Sequence, residues 1–147
     1  MKIPKIYILS GAGISAESGI RTFRDGDGLW EEYSIAEVCS VQGWKDDRQK
    51  VSDFYDARRG DLASKEPNEA HKQLALLKAK YPENIVMLTQ NVDDMLERAG
   101  CKDVIHLHGT LTDVRCEACA ESISHRLRRT SRKPFVLLVK VKTYVIM

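Results

Sequence analysis

Apolar positions along the chain gather into two short uninterrupted runs, Ile6 to Leu9 and Ile85 to Leu88, and a third, Val104 to Leu107, broken only by His106, with helical stripes between them. A continuous run of four or five apolar residues that ends at a glycine or a polar turn is the pattern of a parallel-sheet strand buried on both faces. Ser34, followed three residues on by Glu37, forms a capping box for a short helix compatible with Ala36 and Val38. Val51, Phe54, Tyr55, Arg58 and Leu62 recur at three- and four-residue spacing and predict a helix over 47–62. Pro67 and Asn68 open a further helix, with Asn68 as its cap and Ala70, His71, Leu74 and Leu77 along its stripe. His71 in such a stripe reads as a packed, hydrogen-bonded core residue. The segment TQNVDDMLERAG then supplies a loop and a short helix closed by Gly100.

This alternation of strand, loop, helix and strand predicts an α/β fold, a Rossmann-like parallel sheet with helices on both faces. Ligands of such sheets sit outside the carboxyl ends of the strands. The three unusual polar loops, 11–33, 89–94 and 106–110, all follow strands, so they point to one shared site.

At 147 residues and 43% hydrophobic, the chain has the size of one globular domain. Its net charge of +2 conceals an asymmetry, because residues 120–147 carry seven Lys and Arg against the single Glu121. No aromatic residues interleave those arginines and no nucleic-acid motif accompanies them, so neither nucleic-acid nor membrane binding is expected. The opening MKIPKIYILS has the pattern of neither a signal peptide nor a membrane span, which predicts a cytoplasmic protein. In a reducing compartment the pair Cys116 and Cys119 suggests metal before disulfide, whereas Cys39 and Cys101 read as small packed side chains.

Gly11-Ala12-Gly13 followed by Ala16 fits the loose dinucleotide fingerprint G-x-G-x-x-G/A, in which glycines let the backbone approach a pyrophosphate at a helix N-terminus. A plain tight turn would produce the same letters. A hydride-transferring Rossmann enzyme also requires an acidic residue about twenty positions on, at the end of a second strand. Glu31 and Glu32 lie near that distance, but Gly26, Gly28 and Trp30 make their segment a loop.

The stretch GAGISAESGIRTFR, the loop TQNVDDMLERAG and the segment HLHGTLTDVRCEAC, in this order, resemble the sirtuin family of NAD-dependent protein deacylases over about residues 5–119. The resemblance implies that NAD is consumed as a co-substrate: its nicotinamide–ribose bond breaks and the acyl group of an acyl-lysine side chain passes to ADP-ribose. It places Gly11, Ala12 and Gly13 at the pyrophosphate and Ala16 and Glu17 at the closing turn. Phe23 and Arg24 would belong to a mobile loop over the nicotinamide ribose, and Trp30, with Gln90, Asn91 and Asp93, would join the cofactor-binding set. Carboxamides and a carboxylate at these positions suit orientation more than proton transfer; without the family, Asp93 reads as a helix N-cap. His108 is the implied general base, a task for a group that titrates near neutrality, and His106 packs or supports the strand. Tyr55 and Arg58 resemble the pair of sirtuins that prefer succinyl- and malonyl-lysine, with a hydroxyl and a guanidinium forming a fork for the acyl carboxylate. Cys116-x-x-Cys119 is half of a tetrahedral zinc site, a partial zinc-ribbon module whose second pair is not found in this chain.

The sequence therefore divides into residues 1–119, the N-terminal part of a sirtuin-type catalytic domain, and a divergent basic and apolar tail, 120–147, expected to be a truncated or frame-shifted end. Within that tail Lys140 and Lys142 share one face of a possible edge strand. Strands missing from the sheet would leave an open edge and exposed apolar surface, so low solubility and weak catalysis are expected of the isolated chain. Two other readings stand beside the deacylase: a non-catalytic module that holds a nucleotide or zinc, and a nicotinamide-dependent oxidoreductase.

Overall fold

The computed structural model describes residues 4–22, 33–115 and 122–124. Phe23, Arg24, Trp30, Glu31, Glu32, Cys116, Cys119 and the strand expected around Lys140 and Lys142 lie outside them. Three parallel strands, β1 (Ile6–Ser10), β2 (Ile85–Thr89) and β3 (Ile105–His106), form a sheet in the order β1-β2-β3. Ile8 pairs in register with Met87, and Thr89 pairs with Ser10 on one side and His106 on the other. A separate antiparallel ladder joins β4 (Asp113–Arg115) to β5 (Ser122–Ser124).

Six helices connect these strands among the described residues: α1 (Gly13–Ala16), α2 (Ile35–Val38), α3 (Val41–Asp46), α4 (Arg48–Leu62), α5 (Glu69–Lys80) and α6 (Met95–Arg98). The capping box at Ser34 and Glu37 is formed as the spacing predicts. Helix α3 was not legible in the chain's apolar pattern. The Ser40 hydroxyl starts it by accepting from the Gly43 amide at 2.9 Å, and Gly43 lets its backbone lie against α2. A Cβ on Gly43 would sit 2.0 Å from the Glu37 carbonyl oxygen, a contact no side chain tolerates.

Helix α4 buries Val51, Phe54, Tyr55 and Leu62, as its periodicity predicts, but its buried guanidinium is Arg59, which pairs with Asp56 at 2.8 Å; Arg58 is half-buried. The stripe of α5 is corrected more substantially. His71 and Ala75 are buried and Leu74 packs beside them, while Ala70 and Leu77 are exposed. The cause is the cap: Asn68 accepts from the Ala70 and His71 amides and donates its own amide to the Ile14 carbonyl at 2.7 Å. That tether to α1 fixes the rotation of α5 and turns positions 71, 74 and 75 inward.

Two apolar clusters result. One gathers Val38, Trp44, Val51, Phe54, Tyr55, Leu62, Met95 and Leu111 around α4. The other packs Ala75, Ile85, Met87, Leu96 and Cys101 between the sheet, α5 and α6. Strand β1 does not meet the expectation of burial on both faces, because Ile6, Tyr7 and Leu9 are 49%, 67% and 59% exposed. Among the described residues β2 is its single strand neighbour, and Tyr7 and Leu9 lie on the face opposite the α5–α6 cover, where Ile8 is half-buried. No described helix is long and apolar enough to cross a membrane.

Candidate functional site

The carboxyl ends of β1 and β2 deliver two loops to one place. Ser10 donates its hydroxyl to Thr89 Oγ1 at 2.9 Å, and Thr89 Oγ1 in turn accepts from the Asn91 amide at 3.0 Å. The Gln90 amide donates to the Ser10 carbonyl at 3.0 Å, while the Gln90 side chain is exposed. The ends of the strands are thereby stitched together before the chain turns away on either side.

From β1 the chain enters Gly11-Ala12-Gly13 and the single turn of α1. A Cβ built on Gly11 or Gly13 would meet nothing within 4 Å, so no packing within the described chain requires glycine at either position. That open space is where a backbone cradle admits the close approach of a ligand. Ala16 and Glu17 are exposed at the end of α1, and Glu17 is its C-cap.

Ser15, on α1, is 1% exposed and is the hub of the site. Its hydroxyl donates to Asp93 Oδ2 at 2.9 Å and accepts from Asn91 Nδ2 at 3.0 Å, and His71 Nε2 lies 3.4 Å away. Because His71 Nδ1 accepts from the Asn68 amide at 3.3 Å, the neutral ring carries its proton on Nε2 and donates toward Ser15. A hydroxyl has one proton to give and two lone pairs, and Ser15 uses all three. Burial lowers the His71 pKa against the opposing charge of Asp93, in keeping with that neutral tautomer. Asp93 places its other oxygen, Oδ1, on the Met95 amide at 3.2 Å; the N-cap of α6 is its neighbour Asp94, so one carboxylate ties the first residue of α6 to the site without being the cap.

His106 is held differently. Its Nδ1 lies 2.9 Å from the Asn91 carbonyl oxygen and its Nε2 2.6 Å from Glu97 Oε1. Burial alone would lower its pKa, but the Glu97 hydrogen bond, the Asn91 carbonyl and the charges of Glu97 and Asp93 together raise it above 6.5. His108 is exposed on the loop after β3, two residues beyond this anchor.

A cavity of about 160 Å³ opens beside the cluster, walled by Ala12, Ser15, Asn91 and Asp93 on one side and by Phe54, Arg58 and Asp61 on α4. The Arg58 guanidinium lies 5.6 Å from the Phe54 ring centroid, where burial lowers its pKa. The Tyr55 hydroxyl points elsewhere and donates to Cys39 Sγ at 3.4 Å; burial holds it protonated well above the usual phenol range. Ala12, Asn91, Asp93 and Arg58 thus come together around one space, whereas the Tyr55 hydroxyl, the Gln90 side chain and His108 are not on its wall. Ser15 and His71 are the site members that sequence reasoning missed. The available signals were a serine one turn beyond the glycines and a histidine at the capping-box position usually held by Glu or Gln.

Among the described residues no three His, Cys, Asp or Glu side chains gather as a metal site. Cys116 and Cys119 contribute two thiols where a structural zinc takes four ligands, so the donors in hand do not make up a zinc site.

Comparison with known proteins follows this geometry. The profile of the Sir2 family matches residues 11–137. A Campylobacter jejuni protein named NAD-dependent protein deacylase is 60% identical over 114 residues, 78% of this chain and 49% of the relative. A Helicobacter pylori protein of the same name is 60% identical over 112 residues, 76% of this chain and 48% of the relative. A mutant Sir2 homologue solved with ADP-ribose superposes with a TM-score of 0.74 at 41% identity, covering 90% of this chain and 50% of that one. The chain spans about half the length of the curated relatives it matches. With the family profile extending over most of its residues, the chain belongs to the Sir2 family.

Proposed function

We propose that the chain carries the cofactor-side half of an NAD-dependent protein-lysine deacylase, acting in the cytoplasm on acylated lysine side chains of proteins. The observation that carries this reading is that Ala12, between the open positions Gly11 and Gly13, meets the Ser15, Asn91 and Asp93 cluster on the wall of one cavity. The residues fit the cofactor: a glycine backbone with free space suits a pyrophosphate, and the half-buried Asn91 carboxamide and buried Asp93 carboxylate, both hydrogen bonded to Ser15, suit a carboxamide and ribose hydroxyls. NAD, when bound, supplies the breakable nicotinamide–ribose bond and the ribose hydroxyls.

The chain's own residues then have separate tasks. Asn91 and Asp93, fixed by Ser15, orient the ligand without rearranging. Phe23 and Arg24 would cover the ribose and exclude water, with Ala16, Glu17, Trp30 and Gln90 completing the cofactor side. His108 takes a proton from a ribose hydroxyl, a role its exposed position leaves open to substrate. Arg58 offers a guanidinium at the cavity wall to an acyl chain ending in a carboxylate, which favours succinyl- or malonyl-lysine. Tyr55, whose hydroxyl donates to Cys39, supports that wall unless the hydroxyl turns on binding. Zinc at Cys116 and Cys119 would require two further ligands, and no step depends on it.

The test is to incubate the protein with NAD and either succinyl-lysine or acetyl-lysine peptide. Peptide-dependent nicotinamide release is the expected result, and Arg58→Met should reduce succinyl turnover more than acetyl turnover. NAD binding without release would leave a nucleotide-binding module, and growth of the reduced-cofactor absorbance would indicate an oxidoreductase.

A further inference from the structure

His106 faces an acceptor at each ring nitrogen, the Asn91 backbone carbonyl at Nδ1 and the Glu97 carboxylate at Nε2. Neither acceptor has a hydrogen to give. Both contacts are hydrogen bonds only if the ring carries two protons, so the geometry calls for an imidazolium. The side chain of His106 is 9% exposed, which shields it from competing water. Two titratable groups face it, Glu97 from α6 and Asp93 from the loop after β2; β2 itself, the neighbouring strand, has no charged residue.

The residue held at Nδ1 is a member of the pocket. Asn91 gives its carbonyl to His106 and its side-chain amide to Ser15, so one residue is anchored from both sides of the loop. We propose that His106 is a positioning residue whose doubly protonated ring clamps the 90–94 loop to β3 and α6, so that the NAD pocket is fully ordered only while that ring is charged. The proposal rests on the cofactor reading above. When the ring loses a proton, one hydrogen must serve two acceptors. Either the Asn91 carbonyl loses its donor or a nitrogen lone pair confronts the Glu97 carboxylate. The raised pKa supports the geometry, because it lets the ring keep its second proton beyond the pH at which an ordinary histidine loses it. By linkage, a proton that orders the pocket and a ligand that requires the ordered pocket strengthen each other's binding.

Two variants separate the contacts. Asparagine at position 106 has its amide nitrogen near the place of Nδ1 and can still reach the Asn91 carbonyl; glutamine extends to the place of Nε2 and serves Glu97 instead. Glu97→Gln removes the need for the second proton, because a glutamine amide can donate to a neutral Nε2 while Nδ1–H keeps Asn91.

The experiment is a pH titration of the full chain with nitrogen-15-labelled histidine, read by ring-nitrogen chemical shifts, amide hydrogen exchange of residues 90–94 and NAD affinity. Expected are imidazolium shifts for His106 persisting above 6.5, faster exchange in the loop as the ring deprotonates, and a loss of roughly fivefold or more in NAD affinity over the same interval. Glu97→Gln should abolish the loop's pH dependence, and His106→Asn should protect the loop better than His106→Gln. Deprotonation at or below 6.5, loop exchange indifferent to it, or equal behaviour of the Asn and Gln variants would overturn the proposal. If NAD fails to bind at every pH while shifts and exchange behave as expected, the cofactor reading falls and the clamp on the loop stands.

Discussion

The two apolar regions of the molecule are built to different standards of closure. Around α4, the Phe54 ring meets those of Tyr33 and Tyr55 edge to face, with centroids 5.2 Å away in both cases, and the α2 and α3 backbones touch at Gly43. At the sheet, Met87 is fully buried while Tyr7 and Leu9, each one position from its partner Ile8, stand in the open. Short, locally capped helices can finish their own packing; a strand is finished only by the neighbours it is given.

Substitutions should expose that difference. Phe54→Ala, in the centre of the closed cluster, should cost about 3–5 kcal/mol of stability, measured by urea denaturation. Gly43→Ala should cost about 1–3 kcal/mol, because a Cβ there meets the Glu37 carbonyl, which belongs to backbone and cannot swing aside. The His106 anchor comes next and depends on pH. Its pKa is raised in the folded chain, so its stabilisation is fully present below 6.5 and is lost as pH rises through the folded value. The urea midpoint should therefore fall as pH rises above 6.5, and Glu97→Gln should flatten that fall. The smallest effect is expected at the open strand. Leu9→Thr should change stability by no more than about 0.5 kcal/mol while reducing light scattering on concentration. A loss at Leu9 as large as that at Phe54 would mean the two regions are closed alike.

What could be read from the sequence follows the same division. The capping box at Ser34 and Glu37, the Asn68 cap and the three parallel strands depend on neighbours in the chain, and all were legible. The inward stripe of α5 was not, because it is set by Asn68 reaching the Ile14 carbonyl, 54 positions away in the chain. Ser15 escaped for the same reason: its partners Asn91, Asp93 and His71 lie 56 to 78 positions away, and nothing local marks them as one cluster. Asn91 and Asp93 could be singled out because their loop resembles a sirtuin segment and follows a strand, where the fold gives loops at that end of the sheet a common destination. The burial of β1 was misjudged because an apolar run states what a strand requires and not what covers it.

The pairing of β1 with β2 has a consequence for how the chain acquires its shape. Ser10 and Thr89 hydrogen bond across 79 positions, so closing that loop costs about 4 kcal/mol of chain entropy before the strands gain anything from each other. Helices α2 to α5 lie inside the loop and can form from local contacts, shortening the effective distance to be closed. Strand β1 leaves the ribosome long before its partner β2, so it is paired late, and the cradle at Gly11 waits on that late step.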